Sequence, residues 1–174
     1  MDHTPMPETP ESLLARLEAL GILATTHRHP PLHTVAESQA LRGNLPGLHV
    51  KNLFLRAKSP QPFLLVVAEE NTPLSINALA RQLGTGRLSM ANEAELYEKL
   101  GVRPGSVTPL ALVNAPPGSV RTVIDHRLLT GPGPVNIHPL TNEATTALAP
   151  ADLRRFLESL GHPIEPIDLA APLA

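Results

Sequence analysis

The chain has 174 residues, a net charge of −2 at neutral pH and no cysteine, and 42% of its residues are hydrophobic. This size and composition predict one globular domain, and the missing cysteines exclude disulfides, thiolate metal sites and a cysteine nucleophile. With no tryptophan, three phenylalanines and one tyrosine, an aromatic platform for stacking nucleic-acid bases is not expected. Any contact with a nucleic acid therefore requires a local cluster of basic residues.

The N-terminal residues Met1–Pro10 are rich in proline and lack the basic start and apolar centre of a signal peptide. We interpret them as a disordered leader, and residues 11–174 as a single domain. No run of 18 apolar residues occurs, so no membrane span is predicted and the cytoplasm is the default compartment.

The first half of the chain predicts helices and strands in alternation. A helix at 11–20 has leucines at helical spacing, Thr9 as its N-cap and Pro10 at its first position. After it, the predicted elements are a strand at 24–29, a helix at 34–41 with Thr34 and Glu37 as a capping box, a strand at 49–56, a turn at 59–62, a strand at 63–68, and helices at 75–83 and 92–100. Glycines are expected to end the last two helices, Gly84 and Gly101.

The second half predicts a hairpin and several shorter elements. The apolar segments 109–114 and 119–124 are predicted to pair across Ala115–Gly118, and strands follow at 134–138 and 144–148. A helix at 152–160 and a strand or extended tail at 164–169 complete the order. Because hairpins are mixed with helices, the predicted fold class is α+β (mixed α/β), with a partly antiparallel sheet and not a doubly wound parallel one.

Motifs for nucleotide binding and for common hydrolases are absent from the sequence. It contains no GxxxxGKS/T, no GxGxxG after a strand and no GxSxG. His27, His29 and His33 form an HxHxxxH pattern that would allow a metal to bind on one strand face. No HExxH or carboxylate cluster completes such a set, so we interpret the pattern as an exposed strand end, and neither a metal nor a cofactor is predicted.

Three local features carry candidate functional residues. Lys51 and Asn52 interrupt an apolar strand, where the ammonium must either reach solvent or face a polar cavity. Residues 105–109 (GSVTP) form a turn whose glycine lets a ligand approach the backbone and whose amides can bind an anion. Residues 136–146 (NIHPLTNEATT) place His138 among threonines and asparagines at a strand end. Each feature has an ordinary alternative: a solvent-facing lysine, a common loop and a structural histidine.

Four segments, taken in order, resemble the YbaK/ProX family of aminoacyl-tRNA deacylases, which are related to the editing domain of bacterial prolyl-tRNA synthetases. They are HVKNLFLR, GTGRLSMANEAELYEKLGVRPGSVTPLALVN, VRTVID, and VNIHPLTNEATTAL followed by DLRRFLESLGHPIE. The resemblance extends from about Ser12 to about Leu169 and is greatest to the freestanding ProX type that edits alanyl-tRNA(Pro). It implies a compact fold with a curved, mostly antiparallel mixed sheet surrounded by helices, and hydrolysis of a mischarged aminoacyl-tRNA ester.

The resemblance assigns roles to the residues that match the family's motifs. Lys51, Gly105 and Ser106 are the implied catalytic residues: the lysine would hold the ester carbonyl, the terminal adenosine or its phosphate, and would face the oxyanion-stabilising loop amides across a small void. The implied substrate-binding residues are Asn52, Thr108, Pro109, His138, Thr141, Asn142 and Thr145. In this family the terminal 2′-hydroxyl of the tRNA is understood to help activate water. Ile137 stands where many relatives are expected to have an aromatic residue, which affects pocket size and so fine specificity.

The implied substrate is alanyl-tRNA(Pro), whose small side chain would enter a pocket that excludes proline. Two alternatives stay open: removal of cysteine or another small residue from its tRNA, and a non-catalytic module that binds tRNA or a synthetase. The expected partners are the acceptor end of an aminoacyl-tRNA and prolyl-tRNA synthetase, with Arg56, Arg81 and Arg87 as candidate contacts to tRNA. Neither DNA nor a membrane is an expected partner.

Overall fold

The helices and strands of this computed structural model lie within residues 7–31, 45–58 and 63–169, the part of the chain that the structure describes. The α-helices are α1 (Pro10–Ala19), α2 (Ile76–Leu83), α3 (Glu93–Leu100), α4 (His126–Thr130) and α5 (Pro150–Ser159). A 3₁₀ helix covers Pro109–Asn114. The strands are β1 (Ala24–Arg28), β2 (Leu48–Arg56), β3 (Phe63–Glu69), β4 (Ser89–Met90), β5 (Arg121–Asp125), β6 (Val135–Ile137), β7 (Ala144–Leu148) and β8 (Ile164–Ile167).

The strands form one mixed sheet in the order β1-β7-β6-β2-β3-β5-β8, with β4 paired to β2 beside this path. Four pairings are antiparallel, namely β1 with β7, β2 with β3, β2 with β4, and β6 with β7. Three are parallel, namely β2 with β6, β3 with β5, and β5 with β8. This mixed sheet with its surrounding helices confirms the predicted fold class.

Both faces of the central strands are buried, which explains the uninterrupted apolar sequence of β3. Leu65 and Val67 point into the larger core, to which α1, α3, α5 and the 3₁₀ helix contribute side chains. Leu64 and Val66 point into a smaller core beneath α2. Since a strand alternates its side chains between two faces, each face of β3 needs its own apolar cover.

Local sequence sets the ends of several helices as predicted. Thr9 caps α1 with its side-chain oxygen, and Pro10 occupies the first helical position. Asn92 caps α3 in the same way. Gly84 and Gly101 end α2 and α3 with φ angles of 67° and 68°, a left-handed conformation that glycine adopts without the steric cost of a Cβ.

The predicted hairpin between 109–114 and 119–124 is wrong. Residues 109–114 form the 3₁₀ helix, in which the Thr108 hydroxyl accepts a hydrogen bond from the Leu110 N–H at 3.3 Å and Pro109 supplies the first turn. Most of this helix is buried in the larger core, so its continuous apolar run reflects burial and not a strand. β5 pairs in parallel with β3 and β8 instead.

Two short elements are missing from the sequence prediction. β4 pairs with Leu55–Arg56 at the end of β2. α4 begins directly after β5, where the Asp125 carboxylate accepts a hydrogen bond from the Arg127 N–H at 3.1 Å. The helix predicted at 34–41 and the turn predicted at 59–62 lie outside the described residues.

Part of the predicted leader is held against the domain. The Glu8 N–H donates to Asn114 Oδ1 at 2.9 Å, and the Glu8 carboxylate forms an ion pair with Arg16 at 2.7 Å. α1 begins at Pro10, and residues 1–6 lie outside the described part. Among the described residues, no helix is long and apolar enough to cross a membrane.

Candidate functional site

One side of the sheet around β2 and β6 carries polar side chains, and we call this side the polar face. In the parallel pairing of these strands, Leu48 lies opposite Val135 and His49 lies opposite Asn136. Leu48 and Val135 pack in the larger core. Because successive residues of a strand alternate, His49 and Asn136 point to the other side of the sheet, and residues 51 and 138, two positions further along, point there too.

β7 and the end of β1 extend the polar face. Asn136 lies opposite Ala147, so Thr145, two residues earlier on β7, shares this side. The His29 N–H donates to the Glu143 carbonyl at 3.0 Å, which continues the β1–β7 ladder and places His29 beside Thr145. His29 Nε2 lies 2.8 Å from Thr145 Oγ1. The polar face therefore includes the side chains of His27, His29, His49, Lys51, Asn136, His138 and Thr145.

The burial of His138 affects the protonation of its imidazole ring. Burial lowers the pKa of His138, and the nearby His29 acts in the same direction, since two imidazolium charges would repel. A hydrogen bond to the Ala144 carbonyl at 3.5 Å opposes these effects without cancelling them. The imidazole is therefore neutral at neutral pH, with its Nδ1 hydrogen directed at Ala144.

The Lys51 ammonium donates a hydrogen bond to the Thr72 carbonyl, just beyond the end of β3. An ammonium group has three N–H donors, so two remain for a ligand. The strand alternation that places Lys51 on the polar face places Asn52 on the opposite side, where Asn52 Nδ2 donates to the Val107 carbonyl at 3.0 Å. The predicted loop therefore contacts β2 through Asn52, and Lys51 and the loop amides flank β2 from opposite sides.

An ion pair between the buried Asp125 and the partly exposed Arg127 contacts Thr72, the residue whose carbonyl binds Lys51. The Asp125 carboxylate is fully buried and accepts hydrogen bonds from Arg127 Nε at 3.1 Å and from the Glu69 N–H at 3.3 Å. Arg127 Nη2 also donates to the Thr72 hydroxyl. Burial by itself would raise the pKa of Asp125, but the hydrogen bonds and the charge of Arg127 outweigh it and hold that pKa below its ordinary value. The ion pair thus fixes the position of Thr72 through its hydroxyl, and the Thr72 carbonyl in turn accepts the hydrogen bond that positions the Lys51 ammonium.

The edge of β2 beside Asn52 is open between its pairings with β6 and β4. The pairing with β6 ends at His49, and on the other side of the gap the Phe54 carbonyl accepts from the Ala91 N–H at 3.0 Å before Leu55 pairs with β4. Within this stretch, Asn52 Oδ1 is buried and has no hydrogen-bond partner among the described residues. An unpaired strand edge with an unsatisfied acceptor is a suitable place for a polar ligand to bind.

The loop after α3 is a type II β-turn. The Ser106 N–H donates to the Arg103 carbonyl at 3.0 Å, with Pro104 and Gly105 as the central residues and φ of 89° at Gly105. A Cβ on Gly105 would come 3.3 Å from Asn142 Nδ2, so the turn lies against the loop that follows β6. The Gly105 N–H has no acceptor among the described residues. Of the two predicted amide donors, the one at Ser106 is therefore occupied and the one at Gly105 is open.

The remaining predicted residues hold the loops in place. Thr108 and Pro109 are buried at the start of the 3₁₀ helix, where Thr108 serves as its cap. The Thr141 hydroxyl accepts from the Glu143 N–H at 3.2 Å and so shapes the loop between β6 and β7. The structure thus brings Lys51, His138 and Thr145 to one side of the sheet, and groups Asn52, Gly105 and Asn142 around the adjoining turn.

Sequence reasoning missed Thr72, Asp125, Arg127 and the role of His29. A single Asp-x-Arg sequence at a strand end carries no signal by itself, since its meaning depends on burial. The described ranges contain no group of three or more histidine or carboxylate side chains placed to hold a metal ion. His33 lies outside those ranges. Arg56 forms an ion pair with Glu95 at 2.9 Å, and Arg81 and Arg87 are exposed.

The mixed sheet and its helices form a fold that is shared with solved structures. A solved candidate trans-editing enzyme for prolyl-tRNA synthetase superposes with a TM-score of 0.68 and 23% sequence identity, over 91% of this chain and 96% of that chain. The model of the aminoacyl-tRNA editing domain matches residues 29–156. The chain belongs to the aminoacyl-tRNA editing domain family and is of its YbaK/ProX type.

Two curated relatives span most of the chain. The prolyl-tRNA synthetase associated domain-containing protein 1 of Danio rerio is 43% identical over 147 residues, covering 84% of this chain and 79% of that protein. The prolyl-tRNA editing protein ProX of Acetoanaerobium sticklandii is 31% identical over 159 residues, covering 91% of this chain and 96% of that protein.

Proposed function

We propose that this chain is a trans-acting deacylase that hydrolyses mischarged tRNA(Pro), with alanyl-tRNA(Pro) as its substrate. The observation that carries the proposal is the Lys51 ammonium on the polar face, which donates to the Thr72 carbonyl and has two N–H donors left for a ligand. The family and the name of the ProX relative support an editing reaction on prolyl-tRNA. The proposed compartment is the cytoplasm, where translation uses aminoacyl-tRNA.

The proposed reaction is attack of water on the ester carbonyl carbon. Lys51 and the Gly105 N–H approach β2 from opposite sides, so we assign them to different parts of the substrate. The Lys51 ammonium would donate to the oxygen that becomes negative in the tetrahedral intermediate, and the Gly105 N–H would bind another hydrogen-bond acceptor at the acceptor end of the tRNA. Collapse of the intermediate breaks the bond to the ribose oxygen, which leaves with a proton as the 3′-hydroxyl. Because an aminoacyl ester is already labile, positioning the water and stabilising the oxyanion are sufficient, with help from the substrate's own 2′-hydroxyl.

Specificity is proposed to be steric. A site that holds an alanine side chain excludes the proline ring, which protects correctly charged tRNA. By the same reasoning, the cysteine side chain is small enough to fit, so cysteinyl-tRNA(Pro) is a competing substrate. The Danio rerio relative is named only for its association with prolyl-tRNA synthetase, which agrees with a non-catalytic binding module as the second candidate.

A deacylation panel tests the proposal. Alanyl-, cysteinyl-, seryl- and prolyl-tRNA(Pro) are incubated with the purified protein, and the loss of each ester is followed against its spontaneous hydrolysis. Alanyl-tRNA(Pro) is expected to be hydrolysed at least about tenfold faster than prolyl-tRNA(Pro), because the pocket excludes the larger side chain. If the cysteinyl ester were hydrolysed fastest, the chain would instead be assigned as a cysteinyl-tRNA(Pro) deacylase. No turnover of any ester, with tRNA still bound, would favour the binding module.

Replacement of Gly105 by alanine is expected to impair deacylation more than it impairs folding. The φ of 89° is strained for any residue with a Cβ, which costs about 1–2 kcal/mol of unfolding free energy, and the new Cβ also presses on Asn142 at 3.3 Å. Gly86→Ala is the matched control, since Gly86 has φ of 71° and no atom within 4 Å of its added Cβ. Urea unfolding should show similar losses for both variants, whereas the alanyl-tRNA(Pro) rate should fall only in Gly105→Ala. Equal rates in the two variants would exclude Gly105 from the site.

A further inference from the structure

Hydrogen bonds around His29 determine the direction in which the Thr145 hydroxyl points. His29 Nδ1 lies 2.9 Å from the Pro30 carbonyl oxygen, and its Nε2 lies 2.8 Å from Thr145 Oγ1. A carbonyl oxygen only accepts, so Nδ1 carries a hydrogen, and in this Nδ1–H tautomer Nε2 is an acceptor. The single hydrogen of the Thr145 hydroxyl is therefore donated to His29.

Thr145 consequently offers only oxygen lone pairs to a bound ligand. His138 on the same face is in a similar state, because its Nδ1 is directed at the Ala144 carbonyl and its Nε2 keeps a lone pair. The β7 end of the polar face thus presents two acceptors. The groups at β2 and the neighbouring turn, the Lys51 ammonium and the Gly105 N–H, are donors.

An aminoacyl ester has the complementary arrangement of groups. Its carbonyl oxygen accepts hydrogen bonds, and its α-ammonium, one carbon away, donates up to three. We propose that Thr145 and His138 accept hydrogen bonds from this α-ammonium group, with His29 as the positioning residue that orients the Thr145 hydroxyl. The inference rests on the proposed deacylase function and adds the part of the substrate that these residues recognise.

The contact would let the enzyme distinguish aminoacyl esters from other acyl esters. A propionyl ester has the same carbon skeleton as an alanyl ester but lacks the α-ammonium, so it would leave both acceptors without partners after they lose contact with water. Unsatisfied buried acceptors are expected to lower its kcat/KM about ten- to a hundredfold relative to the alanyl ester.

The test compares alanyl- and propionyl-tRNA(Pro), each rate being divided by the spontaneous hydrolysis rate of the same ester. Wild type should prefer the alanyl ester about ten- to a hundredfold. Thr145→Val keeps the shape of the side chain but removes the acceptor, so it should slow the alanyl ester, leave the propionyl ester unchanged and bring the ratio towards one. Thr145→Ser keeps the hydroxyl and should restore the preference, and His29→Phe should lower the preference without abolishing turnover.

Thr146→Val is the matched control for the loss of a hydroxyl from β7. Thr146 is the next residue along, fully buried on the opposite side of the strand, where its hydroxyl pairs with Thr26 at 2.8 Å. This variant should keep the wild-type ratio. An equal loss of both rates in Thr145→Val, or a wild-type ratio near one, would overturn the inference and leave the deacylase intact. If wild type hydrolysed neither ester, both the proposed function and this inference would be wrong.

Discussion

Alanyl-tRNA(Pro) hydrolysis is expected to fall about a hundredfold when Lys51 is replaced by methionine. The methionine keeps most of the apolar stem but removes the ammonium, which is the cation placed to stabilise the oxyanion, and loss of one such donor lowers kcat by about 10²–10³. The Thr72 carbonyl, in a buried residue, also loses its donor, which is expected to cost about 1–3 kcal/mol of unfolding free energy. Urea unfolding measures that cost separately, and the catalytic effect is the initial rate of deacylation by the folded protein at saturating tRNA.

Lys58→Met is the matched control for the loss of one positive charge. Lys58 follows the same strand but is exposed, so its removal should change tRNA affinity slightly and leave kcat unchanged. Lys51→Arg is also informative, because the guanidinium keeps the charge while changing the geometry and should recover only part of the rate. If Lys51→Met had the same kcat as wild type, Lys51 would not be a catalytic residue.

Loss of Arg127 is expected to cause the largest loss of stability. Arg127→Met would leave the fully buried Asp125 carboxylate with hydrogen bonds from backbone N–H groups alone. Breaking a pair buried on both sides costs about 3–5 kcal/mol, and because the Arg127 side chain is 36% exposed we expect a loss of about 2–3 kcal/mol. Urea unfolding at pH 7 measures the loss. Arg154→Met is the control, since Arg154 forms an exposed i, i+4 pair with Glu158 at 2.9 Å that is worth about 0.5 kcal/mol. If both variants lost a similar amount of unfolding free energy, Arg127 would not be the main stabilising partner of the buried Asp125 carboxylate.

The pH dependence of this loss follows from the depressed pKa of Asp125. In wild type, the stabilisation is fully present above the unfolded-state pKa of about 4 and is lost as pH falls through the lower pKa of the folded state. In Arg127→Met, burial without the cation raises that pKa, so Asp125 takes up a proton in the folded state at higher pH. A neutral buried carboxyl needs no counter-ion. The difference in unfolding free energy between wild type and Arg127→Met should therefore become smaller as the pH falls from 7 to 4.

Local chemistry allowed many of the elements to be predicted. The Thr9 and Asn92 caps and the glycines after α2 and α3 depend on residues a few positions apart, so the sequence specifies them without the rest of the fold. The apolar run of β3 predicts a strand buried on both faces, as observed. Residues 109–114 have a similar apolar composition but form a 3₁₀ helix, because burial produces such a run in either conformation.

The candidate site was predictable only in part. Lys51 and His138 stand out in sequence because a polar group in an apolar strand needs an explanation. That they share one side of the sheet follows from the parallel register of β2 with β6. No local pattern encodes this register, because parallel strands are joined by long connections and pair through contacts distant in sequence.

By itself, the sequence determined the family, the mixed fold class and most helix ends, since these depend on residue order and short-range hydrogen bonding. Only the tertiary structure decided that Lys51 and Asn52 reach opposite sides of β2, that the Ser106 amide is occupied while the Gly105 amide is open, and that Thr145 donates its hydrogen to His29. Each of these depends on the direction of a side chain or a hydrogen bond, which is set by register and packing between segments up to 116 residues apart.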